Sequence, residues 1–177
     1  MLTLRFKKNL DTYATLTVVR PDGTSASAGL GAATGFGPIR DIAHVVVERQ
    51  LALADGLLGL VARGASFADL DQSFARTAPD AVRAEAVAGL LALELVTGRR
   101  LPLGDFNDAV TSKCAELRPG YRAPDLTPTA LHALRSEIGS LRRQWDALDV
   151  GAALELRFGD ESPATASPPG PAPLTLE

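Results

Sequence analysis

Cysteine, lysine, net positive charge and long apolar runs are all scarce in this 177-residue chain, and each scarcity removes a class of function. A single cysteine, Cys114, excludes an intramolecular disulfide framework and any cysteine-rich zinc site. A lone thiol suits a reducing cytoplasm. With neither histidine near it in sequence to act as an activating base, Cys114 reads as a packing residue. The net charge of −3 lacks the concentrated positive surface that general nucleic-acid binding requires. The longest apolar stretch, around Ala86 to Val96, is interrupted by Glu94 and falls well short of the roughly 20 residues of a membrane span. The N-terminal residues alternate in polarity and form no apolar signal core. Lysine occurs only at Lys7, Lys8 and Lys113, so arginine supplies nearly all of the 18 basic residues. Together with abundant alanine, this points to a GC-rich bacterial genome and a soluble cytoplasmic product.

What remains is ordinary globular material, 46% hydrophobic and 22% charged, enough for one well-cored domain. Leu2, Leu4 and Phe6 alternate with Thr3, Arg5 and Lys7, the period of a half-buried strand. Tyr13 to Arg20 is rich in Thr and Val, and Pro21-Asp22-Gly23 supplies a turn into a weaker strand over Thr24 to Leu30. The glycine-rich stretch from Gly29 to Gly37 reads as a flexible connector. It has no Gly-Lys-Ser/Thr ending, and the strands before it suggest a hairpin, so a phosphate-binding loop is a poor match.

A helix is expected from near Pro38 to about Ala54, then a short one around Leu57 to Val61 stopped by Gly64. Ser66 opens a brief helix to about Ala75. Asp80 to Val96 is apolar nearly all round and is expected at the centre of the core, with Gly98 ending it. A further helix is expected near Asp105–Glu116. Thr127-Pro128 opens a helix whose Leu131, Leu134, Ile138, Leu141 and Trp145 form a regular apolar stripe, a surface for a second copy of the chain if the sheet does not consume it. Leu154-Glu155-Leu156-Arg157-Phe158 resumes strand alternation and repeats the pattern of Leu2 to Phe6. Beyond Gly159, proline-rich sequence predicts a disordered tail over 160–177. The expected architecture is α+β over residues 1–159, a small antiparallel sheet of the N-terminal strands and the C-terminal strand packed against several helices.

The chemistry concentrates in Gly37 to Arg49. At about 100° per residue, Asp41, His44 and Glu48 fall within roughly 60° of one another, opposite Ile39, Ile42 and Val46. This predicts an apolar face against the sheet and a solvated acidic stripe on the far flank; the sharper alternative is a cleft for proton exchange or ligand binding. No metal is expected, because Asp41 and Glu48 lie about 10 Å apart along the axis. Arg40, at the helix start, is a candidate anion ligand. Glu94, inside the apolar helix, needs a partner, an arginine such as Arg83 or His44. His132, beside the last helix's stripe, is expected to face solvent.

The run Arg40-Asp41-Ile42-Ala43-His44-Val45-Val46-Val47-Glu48, with Leu51, Asp55-Gly56 and Leu57 to Gly64 after it, resembles a group of uncharacterised bacterial proteins. Those proteins carry a His-Asp-Leu-x-His-Tyr-x-Val-Glu helix followed by a glycine-containing apolar segment. The resemblance covers about 30 residues and implies no established activity. Arg40 and Val45 depart from the pattern's histidine and tyrosine, and the first change removes an i, i+4 histidine pair. The expectation is a non-catalytic protein that works by binding or self-association, without a cofactor. The alternative is a small-molecule-binding or hydrolase-like protein with a cleft around Asp41, His44 and Glu48.

Overall fold

Strand alternation builds the sheet, and burial of its one apolar face dictates where the helices go. The computed structural model describes residues 1–10, 13–31, 35–65 and 78–159. In chain order its elements are β1 (Leu2–Leu10), β2 (Tyr13–Val19), β3 (Ser25–Gly31), α1 (Phe36–Gln50), α2 (Leu57–Ala62), α3 (Pro79–Thr97), α4 (Leu103–Leu117), α5 (Pro128–Asp146) and β4 (Ala153–Phe158). The strands form an antiparallel sheet in the order β3-β2-β1-β4, so the architecture is α+β. Register places Leu4 between Val18 and Leu156, and Phe6 between Leu16 and Leu154, all buried on the same side. The matching Leu-x-Leu-x-Phe segments are thus neighbouring strands that meet the same helices.

The turn at Pro21-Asp22-Gly23 forms as its residues predict. Gly23 takes φ +83°, and the Asp22 carboxylate accepts from the Thr24 amide at 2.9 Å. The stretch from Gly29 to Gly37 is not one continuous connector. Gly29 and Gly31 belong to β3, and a Cβ at Gly29 would sit 3.1 Å from the Tyr13 hydroxyl. Gly37 lies in the first turn of α1, tight against the Leu30 carbonyl, where no side chain fits. The helix begins at Phe36 and ends at Gln50, four residues short of the expected end, with the chain turning through Ala52 at φ +51°. The helix expected after Ser66 and the tail over 160–177 lie outside the described residues.

Helix α1 contacts β3, β4, α2, α3 and α5, and α4 packs on α3. Thr127 caps α5 by accepting from the Ala130 amide at 3.2 Å, with Pro128 in the first position. At the other end of α5, the buried Lys8 ammonium donates to the Leu148 carbonyl at 2.9 Å and stands 5.3 Å from the Trp145 ring centroid. Leu131, Leu134, Ile138, Leu141 and Trp145 are all buried in the core of the single chain. The stripe therefore belongs to the chain's own core, where α5 packs on α1, and is not left open for a second copy.

Candidate functional site

Arg40, His44 and Glu48 succeed one another at four-residue spacing along α1, and the side they share is not a solvated stripe. Helix α3 covers it, so Ile42, Val46 and His44 are all buried together and Glu48 is only 1% exposed. The expectation of an outward acidic flank is corrected on this point. Position on a helical wheel fixes which residues share a face, but not what packs against it.

Glu85 of α3 meets that face. Its Oε2 lies 3.2 Å from His44 Nε2, and the same oxygen accepts from the Arg40 guanidinium. On the other side of the ring, His44 Nδ1 faces Glu48 Oε1 at 3.7 Å, an ion-pair separation too long for a hydrogen bond. Glu48 Oε2 accepts from the Leu58 amide at 2.8 Å and approaches the Gly59 amide at 3.4 Å. Those are early amides of α2, whose N-cap Gly56 has no side chain to offer them. The carboxylate does the capping from a distance, packed so tightly on Gly56 that a Cβ there would collide with it.

Electrostatics follow from this geometry. Burial works against a charged imidazole at His44, yet Glu48 and Glu85 outweigh it and hold the group at about 9. Burial likewise opposes the Glu85 carboxylate, but His44 and Arg40 bring it down to about 2. Asp41 is pushed up by burial, with His44 and Arg40 opposing and Glu85 reinforcing the rise. The resulting cluster is an Arg40–Glu85–His44–Glu48 chain joining α1, α2 and α3, enclosed at Glu48 and part-exposed at Arg40.

Glu94 stands apart from that chain. It pairs with an arginine, but with Arg135 of α5 and not with Arg83: its oxygens receive Arg135 Nε at 2.9 Å and Nη2 at 2.6 Å. The Leu101 amide donates to Glu94 at 2.8 Å, and Arg135 returns a bond to the Leu101 carbonyl at 2.7 Å. Arg83 instead donates to the Pro124 carbonyl at 3.1 Å. His132 is exposed, and Cys114 is fully buried, with burial pushing its thiol up.

Beside the network opens a cleft of about 720 Å³, within the size range of ligand pockets. It lies where the end of α1 and the following loop meet α2 and the end of β4. Arg49, Leu53, Ala62, Arg63, Arg157 and Phe158 are among its lining residues, and Glu48 contributes to its wall. Asp41 and His44 do not line it.

Comparison with protein-family models, curated proteins and solved structures gives no match. Among the described residues, no group of three or more His, Cys, Asp or Glu side chains is arranged to hold a metal ion, and no helix is long and apolar enough to cross a membrane.

Sequence reasoning missed Glu85, Arg135 and the cleft arginines Arg63 and Arg157. A signal for Glu85 was present. It is one of few charges in α3 and is flanked by Ala84, Ala86 and Ala88, small residues that admit a close helix neighbour. Arg135 carried no such mark, since it sits one position beyond the apolar Leu134 on a helix rich in arginine.

Proposed function

We propose that this protein is a non-catalytic small-molecule-binding protein whose binding site is the cleft beside Glu48. The observation that carries the reading is the cleft itself, a concavity of about 720 Å³ lined by Leu53, Ala62 and Phe158 together with charged residues. The remaining charged groups argue for binding over catalysis. His44 is nine-tenths buried between two carboxylates, and held protonated it has no free lone pair to act as a base at neutral pH. The carboxylates of Glu48 and Glu94 are occupied by backbone amides and, for Glu94, by Arg135. The hydrolase-like alternative therefore has the weaker support. Arginine-for-lysine usage and the buried, unpaired Cys114 support a bacterial cytoplasmic setting for this role.

The test is an amide-resolved NMR titration with a library of neutral and charged fragments. Saturable shifts centred on Leu53, Gly59 and Ala62 are expected from at least one fragment class. Shifts centred elsewhere, or none at any concentration, would remove the cleft as the site.

A further inference from the structure

We infer that the cleft selects an anionic ligand, a carboxylate or phosphate monoester carried on an apolar body. The inference rests on the cleft being the binding site and adds the chemistry of what enters it.

The charged lining is one-sided in what it can offer. Glu48 is the acidic side chain in the lining, and its oxygens are withdrawn, one onto the α2 amides and the other buried against His44. Arg49, Arg63 and Arg157 are the basic lining residues. Alternation along β4 sends the Arg157 side chain to the outer face of the sheet with Glu155 and Arg5, so Arg157 offers its carbonyl. Arg49 and Arg63 are the guanidinium groups available to the cleft. Both are held in place. Arg63 Nη1 donates to the Ala54 carbonyl at 2.7 Å and Nη2 to Asp55 at 2.7 Å. Arg49 Nη1 donates to the Arg157 carbonyl at 3.2 Å, and its Nη2 is engaged by Glu137. Asp55 and Glu137, the carboxylates that position these arginines, are not in the lining.

A guanidinium carries five N–H donors, and these bonds use only part of each set. An arginine whose stem is already fixed loses less entropy when it grips a ligand, and its planar fork matches carboxylate and phosphate oxygens. Leu53, Ala62 and Phe158 supply the apolar remainder of the lining, which calls for a ligand with a body as well as a charge.

The experiment compares benzoate, phenyl phosphate and neutral benzamide, three probes sharing one ring, by NMR titration of the full chain. At least one anion should bind at the Leu53, Gly59 and Ala62 amides ten-fold or more tightly than benzamide, and the stronger anion identifies the oxyanion preferred. Arg49→Gln and Arg63→Gln should each weaken that binding several-fold. Arg5→Gln, on the outer face of the sheet, should leave it unchanged. Arg49 is exposed at the end of α1, so its variant folds even if Arg63→Gln loosens the loop it holds. Benzamide binding as tightly as both anions overturns the inference while the cleft reading stands. Equal loss in the Arg5 and Arg49 variants also overturns it, since general surface charge would then be the cause. Silence of all three probes at the cleft amides, with neutral library fragments binding there, overturns the anion preference; silence of every compound overturns both readings.

Discussion

At the scale of single residues, His44 shows how far neighbours can override burial. A fully enclosed imidazole ordinarily prefers to be neutral, but two carboxylates on opposite sides of the ring hold it protonated at about 9. The consequence for stability has a definite sign. A histidine whose folded value lies above its usual 6.5 contributes fully below pH 6.5, and that contribution is lost as pH rises through 9. Glu85 behaves oppositely: held at about 2 instead of 4.5, it contributes above pH 4.5 and loses that contribution as pH falls towards 2. The network is therefore at its strongest between about pH 4.5 and 6.5. From pH 6.5 to 9, unfolding free energy should fall by about 3 kcal/mol at most. Glu85→Gln should lower the His44 value and move that fall to lower pH. Urea unfolding of both proteins across pH 5–10 measures this, and superimposable pH profiles would show that the pair does not govern His44.

At the scale of elements, two buried ionic ties hold the helices in place, and they differ in kind. Glu94 and Arg135 form a two-pronged pair between α3 and α5 with both partners largely enclosed, and the Arg135 guanidinium also lies 5.5 Å from the Phe106 ring centroid. Breaking such a pair from one side leaves an uncompensated charge, whereas replacing both sides with apolar groups restores much of the loss. Glu94→Leu alone should cost about 3–5 kcal/mol, and Arg135→Met alone should be comparable. The double variant should come back to within about 2 kcal/mol of the parent. A thermodynamic cycle from denaturant unfolding checks this, and additive losses in the double variant would refute a direct pairing. This tie also marks where sequence reading stops. The strand period of Leu2–Phe6, the Thr127-Pro128 cap and the stop at Gly98 are local signals, and each element they announce is present. The need of Glu94 for a partner was equally legible, because an acid inside an apolar helix must be satisfied. Its identity was not, since Arg135 lies 41 residues away and only the packing of α3 on its neighbours brings the two together. The same reason hid α3 from the far flank of α1: periodicity gives a helix its faces, and the third layer belongs to the tertiary fold.

At the scale of the whole molecule, the decisive fact is that α5 spends its stripe inside its own chain. Leu134 is fully enclosed, and Ile138 and Trp145 are 1% exposed, so the surface that looked most like a dimer seam carries core packing. An interface residue and a core residue respond differently to truncation. Leu134→Ala at an interface would shift a monomer–dimer balance, and its effect on melting would depend on protein concentration. In a core it leaves a cavity, costing about 2–5 kcal/mol at any concentration. The second result is expected here: a drop in Tm of the same size at ten micromolar and at several hundred, with unchanged mass by light scattering before unfolding. A concentration-dependent loss, or a change in mass caused by Leu134→Ala alone, would return the stripe to the surface. It would also put the placement of Arg49 in question, because Glu137, which engages Arg49, sits on that same helix one residue before Ile138. The packing of α5 and the placement of the cleft arginines are thus one structural claim, and the truncation tests both.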